Sequence, residues 1–230
     1  MKKQMRLVSW NCANGFARKQ DALRSLAPDL AIICEINQKD AELIENADVQ
    51  WVGNFGAKGM ALMGFNGWLL EKLHESADHH FLAALASHGE HRLTLVGVWT
   101  LPVKSNYVRP VISALDQVSS LLTGDVIMAG DFNANPVWKT KPSFEDARTR
   151  LLDCGLASLW HERSGELHGA ETAATLFWRW DETHSFHIDY VFASEGLRER
   201  CSGMTIGTYQ DWVASKISDH VPLVADFALT

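Results

Sequence analysis

Apolar and polar residues along this chain follow two rhythms, and the switches between them lay out a fold. Short aliphatic runs bounded by polar or glycine-rich stretches read as strands: residues 6–10 (RLVSW), 30–35 (LAIICE), then about 50–53, 60–64, 67–71, 79–87 and 92–99 (RLTLVGVW). Turns such as NFGAKG and SHGEH between the later runs predict a series of antiparallel hairpins. Aliphatic residues at helical spacing predict helices over 16–27, over 108–122, where Gly124 stands just beyond as a stop signal, and over 143–154. Strands return in DVIMAGD, at 170–178, in FHIDYVFAS, around 203–209 and in the closing VPLVADF. Strand-rich halves followed by helices suggest two packed sheets with helices outside; the pattern alone establishes only mixed α and β. No repeat, low-complexity tract or Pro/Gly linker divides the chain, so a single domain over residues 1–230 is expected.

Composition narrows this picture. With 230 residues, 47% of them hydrophobic, the chain can fill one large core. No apolar run approaches the roughly 18 residues of a membrane span, and the opening MKKQMRLVSW lacks the continuous apolar stretch of a signal peptide. A soluble cytoplasmic monomer is therefore expected. Cys12, Cys34, Cys154 and Cys201 stand singly, with no C-x-x-C pair, and read as reduced, mostly buried thiols. The net charge of −7 would repel a polyanion on average, which argues against a tight, general nucleic-acid binder unless a local basic patch exists. Nine tryptophans are many for this length; core and loop packing is the plainer reading, stacking on a substrate ring the sharper one.

Candidate chemistry lies where strands end. Polar residues stand at strand ends at Asn11, Glu35, the pair Asp131 and Asn133, Asp189, and the pair Asp219 and His220. Such positions sit at the rim of a sheet and can converge on one cleft from distant parts of the chain. Hard oxygen ligands gathered there suit Mg²⁺ or Mn²⁺. Each residue also has a plainer reading. Asn11 serves equally to cap a turn. Glu35 serves as half of a salt bridge, Asp131 and Asn133 as an Asx turn compatible with a further role, and His220 as a capped loop residue. Asp189 inside IDYVF is costly to bury unless it is bonded to something such as His220.

The segments WNCANGF, ICEINQ, MAGDFNANP, FHIDYVFAS and ISDHVPLVADF resemble, in order and approximate spacing, the signatures of the endonuclease/exonuclease/phosphatase family, over nearly the whole chain from Leu7 to Phe227. The resemblance implies a four-layer α/β/β/α sandwich of two mainly antiparallel sheets flanked by helices. It also implies a Mg²⁺- or Mn²⁺-dependent phosphoesterase that cuts its substrate by in-line attack of an activated water. By the same resemblance Glu35 is the principal metal ligand, and Asn11 and Asp219 position the metal and its waters. Asp131 activates the attacking water, Asn133 supports it or the phosphate, and Asp189 with His220 forms a carboxylate-supported histidine.

The chain departs from the family after TLVGV, where many members carry a His or Tyr on the phosphate and WTLP stands here. Trp99 or Thr100 occupies that place, with Tyr107 and Arg109 as nearby substitutes for the substrate contact. His187 stands where many relatives have Arg, exchanging a permanent charge for a titratable ring. Nucleic acids and small phosphoesters remain open side by side as substrates. Sphingomyelin is least supported, for want of an amphipathic basic segment. A non-catalytic phosphoryl-binding or protein-interaction module on the same fold is the competing class. Outside these segments, His74, His79, His80, His88 and His91 read as solvated surface, whereas His161, His168 and His184 flank loops near the expected site, with His184 a candidate substrate contact.

Overall fold

The aliphatic runs assemble into two six-stranded sheets in this computed structural model, which describes residues 4–54, 58–78 and 80–229. The expected turn NFGAKG falls partly, and His79 wholly, outside those residues. One sheet holds β1 (Gln4–Asn11), β2 (Leu30–Asn37), β3 (Asp48–Gly53), β4 (Lys58–Gly64), β13 (Cys201–Ile206) and β14 (Leu223–Ala228), in the order β13-β14-β1-β2-β4-β3. The other holds β5 (Leu69–Glu75), β6 (Phe81–His88), β7 (His91–Trp99), β8 (Val126–Asp131), β9 (Leu156–Ser158) and β12 (Asp189–Ser194), in the order β5-β6-β7-β8-β12-β9. A separate small ribbon pairs β10 (Leu176–Phe177) with β11 (Ser185–Phe186).

Strand alternation sorts side chains into three apolar layers. Met5, Leu7, Ile32, Leu62, Leu95, Ile127, Ala129 and Val191 fill the space between the sheets. Val96, Met128 and Phe192 on the far face of the second sheet pack under α3 (Val108–Val118) and α4 (Phe144–Asp153), through Val111, Leu115, Phe144 and Leu151. Val8, Trp10, Ile33 and Met63 on the far face of the first sheet meet Leu23 of α1 (Gln20–Ser25), Ala41 of α2 (Gln38–Glu42) and Trp212. Helix, sheet, sheet, helix is the expected four-layer sandwich.

Most pairings are antiparallel, but β1 with β2 and β7 with β8 run parallel. A parallel pair needs a crossover of a dozen or more residues. The two connections carry α1 and α3, and both pairs end at the rim that bears the candidate chemistry. Between β7 and β8 the backbones approach so closely that a Cβ at Gly130 would lie 1.9 Å from the Val98 carbonyl oxygen, and Gly130 has φ +141°. Only glycine fits there.

Several boundaries differ from the sequence reading. The helix expected over 16–27 is a 3₁₀ turn at Phe16–Arg18 followed by α1. The one expected over 108–122 ends at Val118, with a 3₁₀ turn after it. The strand expected over 170–178 shrinks to Leu176–Phe177, and FHIDYVFAS breaks at 187–188. The strand expected near 203–209 stops at Ile206, and a π turn takes Tyr209–Ala214. The hairpin series is also interrupted, because the chain leaves the first sheet at Gly64 and enters the second at Leu69. The unforeseen α2, α5 (Leu159–Ser164) and α6 (Glu195–Arg200) have five or six residues each, too few to show a helical period.

Candidate active site

Alternation places the site. Along β1 the inward positions are Met5, Leu7, Ser9 and Asn11; along β8 they are Ile127, Ala129 and Asp131; along β12 they are Asp189, Val191 and Ala193. The inter-sheet layer is therefore apolar until these strands reach one edge, where it turns into Asn11, Asp131 and Asp189. Asp131 is the direct register partner of Asp189 on one side and of Trp99 on the other, and Asn11 pairs with Cys34, next to Glu35.

Asp131 is the centre of the cluster and is fully buried. Its Oδ2 accepts from Asn11 Nδ2 and from Asn133 Nδ2, each at 2.9 Å, and its Oδ1 accepts from the Asn133 backbone N–H at 2.8 Å. Asn133 gives its second amide hydrogen to the Thr100 carbonyl at 3.1 Å, so its amide group holds the Asp131 carboxylate in place. His220 Nδ1 is bonded to Asp189 Oδ2 at 2.9 Å, and both side chains are buried. Thr175 Oγ1 accepts from the backbone N–H groups of Ile188 and Asp189, both at 3.0 Å, fixing the start of β12. Ser218 Oγ donates to the Asn11 carbonyl at 2.7 Å and ties the His220 loop to the end of β1. Ligand atoms of Asp131, Asp189 and His220 all lie within 4.8 Å of one another.

Burial and charge set the protonation of this triad. Burial alone would push His220 down, but the Asp189 carboxylate on its ring, with Asp131 and Asp219 nearby, outweighs it and lifts the imidazole to about 10. Burial and the Asp189 charge push Asp131 up to about 7, against the opposing pull of His220, Asn11 and the Asn133 N–H. A protonated imidazole thus stands beside a carboxylate poised near neutrality.

Glu35 sits on a bulge. The β2–β4 register breaks between Cys34 and Ile36, and Glu35 takes the left-handed conformation at φ +60°. Without that extra residue Glu35 would point into the outer apolar layer; with it, Ile36 fills the layer instead. Glu35 pairs with Lys58, so the salt-bridge reading holds in the structure. Lys19, on the carbonyls of Cys12 and Ala13, lies within electrostatic reach of both Asp219 and Glu35, and burial lowers its ammonium from the ordinary range. Nothing in the sequence marks either lysine as a cation that neutralises a distant carboxylate. Glu35 and Asp219 form no tight three-ligand cluster of acidic, His or Cys groups among the described residues. A Mg²⁺ or Mn²⁺ ion fits this donor set, since such ions hold to one or two carboxylates and keep several waters. Asn11 is near, its Oδ1 accepting from the Ala13 N–H at 3.0 Å in the turn-capping role its position suggested.

The expected substrate contacts are mostly displaced. Thr100 is 0% exposed and its hydroxyl donates to the Phe132 carbonyl, so it braces the Asp131 loop and cannot touch a substrate. Trp99 faces the inter-sheet core, its Nε1 buried without a partner. His187 is 3% exposed, with Nδ1 on the Ala173 carbonyl at 2.8 Å, and faces His161 and Tyr190 instead of solvent. Each is turned inward because its place in the chain leaves only a buried face. Tyr107 does border a small cleft with Asn133 and Trp138, and Arg109 is exposed in the first turn of α3. His184 is exposed and bonded to Asp181 at 2.8 Å. Among the expected surface histidines, His80 is instead buried, accepting at Nδ1 from the Leu101 N–H at 3.0 Å. The cysteines are free and largely buried as read, and burial pushes Cys12 up to about 12.

One further feature borders the site. The β10–β11 ribbon is docked on the His220 loop by Phe177 N–H to the Asp219 carbonyl at 2.8 Å and a bridge between Leu176 and His220. Its tip carries Trp178, 55% exposed, with the Arg179 guanidinium 6.0 Å from its ring centre. Lys216 stands 5.0 Å over the ring of Trp180.

The fold is shared with solved structures. It superposes on a 3′ phosphatase NExo (D146N) from Neisseria bound to product DNA hairpin at TM-score 0.74, with 16% identity over 98% of this chain and 100% of that one. An AP endonuclease from Archaeoglobus fulgidus gives 0.75, with 17% identity over 98% and 100%. A truncated Caenorhabditis elegans TDP2 gives 0.72, with 15% identity over 98% of each chain. No curated protein sequence matches. Residues 8–220, from within β1 to the histidine bonded to Asp189, match the model of the Endonuclease/Exonuclease/phosphatase family, and the chain belongs to that family of phosphate-ester hydrolases.

Proposed function

We propose that this protein is a divalent-metal-dependent phosphoesterase that cleaves a phosphodiester by in-line attack of water. The observation that carries the reading is the treatment of Asp131. A buried carboxylate, raised toward neutrality, is clamped by two asparagine amides beside a histidine that a second carboxylate keeps protonated. Asp131 takes the proton of the attacking water, since a general base works best with a pKa near the operating pH. His220, charged through Asp189, donates from Nε2 to the oxygen on which charge accumulates. Asn11 and Asn133 keep the base in one orientation, and Thr175 fixes Asp189. Glu35 and Asp219, with Asn11, would hold Mg²⁺ or Mn²⁺, which when bound would withdraw charge from the phosphate oxygens.

Trp178, Arg179 and Lys216 beside the His220 loop favour a substrate that carries a ring next to its phosphate, as a nucleic acid does. The net charge of −7 accords with local engagement of a few nucleotides better than with a long basic groove. The test is turnover of bis-p-nitrophenyl phosphate, p-nitrophenyl phosphate, abasic-site DNA and plasmid DNA with Mg²⁺, Mn²⁺ or EDTA. Diester cleavage that EDTA abolishes, and that Asp131→Asn lowers by roughly 10²-fold or more, supports the reading. Monoester turnover alone would make it a phosphatase, and no turnover with either metal would leave a binding module.

A further inference from the structure

A second cluster of ligating groups lies outside the catalytic triad. His161, in the first turn of α5, has Nε2 on Glu171 Oε1 at 3.1 Å, and His168 stacks on it with ring centres 3.5 Å apart. Ligand atoms of His161, His168 and Glu171 all lie within 4.8 Å of one another. The His161 and Glu171 side chains are more than nine-tenths buried. Glu171 Oε1 also accepts from the Gly169 N–H at 2.9 Å, and hydrogen bonds from its neighbours hold the carboxyl low, at about 2, against the burial that would raise it.

Two observations are left unexplained by hydrogen bonding within the cluster. His168 Nδ1 is buried with no partner. His187 Nε2 is also buried with no partner, on a side chain whose Nδ1 is spent on the Ala173 carbonyl. That bond makes Nδ1 the protonated nitrogen of a neutral His187 and leaves Nε2 a bare lone pair. The ring stands edge-on to His161, with centroids 5.6 Å apart. A buried nitrogen without a partner is destabilising, and two of them stand at this one cluster. An imidazole whose other nitrogen donates to a backbone carbonyl is the arrangement that metal sites use to fix a ring.

We propose that His161 Nε2, His168 Nδ1 and Glu171 Oε1 bind one transition-metal ion of the zinc type, separate from the catalytic cation, with the His168 ring swinging off its stack on His161 so that the in-plane lone pairs of both rings meet at the ion. Two imidazoles and one carboxylate select Zn²⁺ or its neighbours over Mg²⁺, which prefers oxygen alone. Ser158 Oγ, 2.7 Å from His161 Nδ1, accepts a hydrogen bond from Nδ1–H in the tautomer that frees Nε2 for the metal. A water in the remaining position donates to His187 Nε2, giving the buried lone pair its partner. A surface cleft of about 250 Å³ lined by Arg148, Ser158, His161 and His168 supplies the entry path. The Arg148 charge in that cleft is already forked onto Glu145. The ion ties α5 and the 165–175 loop to the segment that leads, two residues after His187, into Asp189.

The experiment uses the full chain, stripped with chelator, dialysed, and returned to saturating Mg²⁺ so that oxygen-only sites are filled. Co²⁺ is added and its visible d–d absorption read, then Zn²⁺ is titrated in by calorimetry. The expected result is one equivalent of Co²⁺ with the strong bands of a low-coordinate site, displaced by one equivalent of Zn²⁺. His168→Ala should abolish the bands, and Glu171→Gln should weaken binding about 10–100-fold. Glu35→Gln and Asp131→Asn should leave the titration unchanged, so that failure of the catalytic reading and failure of this one are told apart. Absence of bands and of Zn²⁺ heat in the wild-type protein overturns the proposal. Bands that survive in His168→Ala, or vanish in Glu35→Gln, overturn it as well. Circular dichroism of each variant separates lost binding from lost folding, and the wild-type titration decides the matter even where a variant does not fold.

Discussion

Asp189→Asn isolates the electrostatics of the site, because it keeps the size and a hydrogen-bonding group while removing one charge. At an effective dielectric of about 20, attraction between Asp189 and protonated His220 across 2.9 Å is worth about 6 kcal/mol. Repulsion between Asp189 and Asp131, whose oxygens lie within 4.8 Å, is worth at least about 3 kcal/mol. The substitution removes both. His220 then falls back from about 10 toward its ordinary value, burial regaining the upper hand, and at neutral pH it sheds its proton. The cluster keeps the same net charge, one carboxylate in place of two carboxylates and an imidazolium. Stability should therefore drop by only about 1–3 kcal/mol, less than the 3–5 kcal/mol typical of breaking a buried ion pair. Activity should suffer far more. Without a protonated donor, kcat on bis-p-nitrophenyl phosphate should fall about 10²–10⁴-fold, and the alkaline limb of the pH–rate profile should move from near pH 10 to near 6.5. Urea unfolding gives the stability, and steady-state kinetics from acid to alkaline pH gives the rate. Wild-type kcat in this variant, or a limb that does not move, would show that His220 does not act as the charged donor.

Further outcomes follow from the same geometry. Both His220 and Asp131 are raised in the folded protein, to about 10 and about 7, so the stability each contributes is complete below its unfolded pKa and is lost as pH rises through the folded one. The urea midpoint should accordingly decline from about pH 4 to about pH 10, more shallowly in Asp189→Asn, and a midpoint that climbs over that window as the two groups titrate contradicts these assignments. Gly130→Ala drives a methyl into the Val98 carbonyl at a positive φ and should cost about 2–5 kcal/mol, read by thermal or urea unfolding; a neutral effect would mean that β7 and β8 can separate without loss. Trp178→Ala should raise KM for an oligonucleotide by roughly 5–100-fold, one stacked base, and leave bis-p-nitrophenyl phosphate kinetics nearly unchanged. Equal losses on both substrates would remove Trp178 from substrate binding.

The strands that carry the site were legible in the sequence because an aliphatic run ending in a polar residue reports both a buried strand and its exit at a sheet rim. Asn11 and Asp131 could be named that way, Asp189 and His220 as polar residues where a strand is about to begin, and the order of their segments pointed to the family. Glu35 was legible as a residue, but its placement was not, since the bulge that turns it off the outer layer breaks the very alternation by which strands are read. The inward burial of Trp99, Thr100 and His187 escaped the sequence for a related reason. Each stands at or just beyond the end of a strand, and which face such a residue takes depends on what the next segment leaves uncovered.

By itself the sequence determined the composition of the core, the existence of most strands and the longer helices, and the chemical identity of the candidate catalytic groups, because these follow from local period and side-chain type. The tertiary structure alone decided that β1 and β2, and β7 and β8, run parallel, that Asn11 reaches Asp131 across 120 residues of chain, and that Lys19 and Lys58 answer the carboxylates. It alone gathered His161, His168, Glu171 and His187. Each of these is a contact between segments distant along the chain. Its energy comes from desolvation and charge at a shared location, quantities that no local pattern of residues encodes.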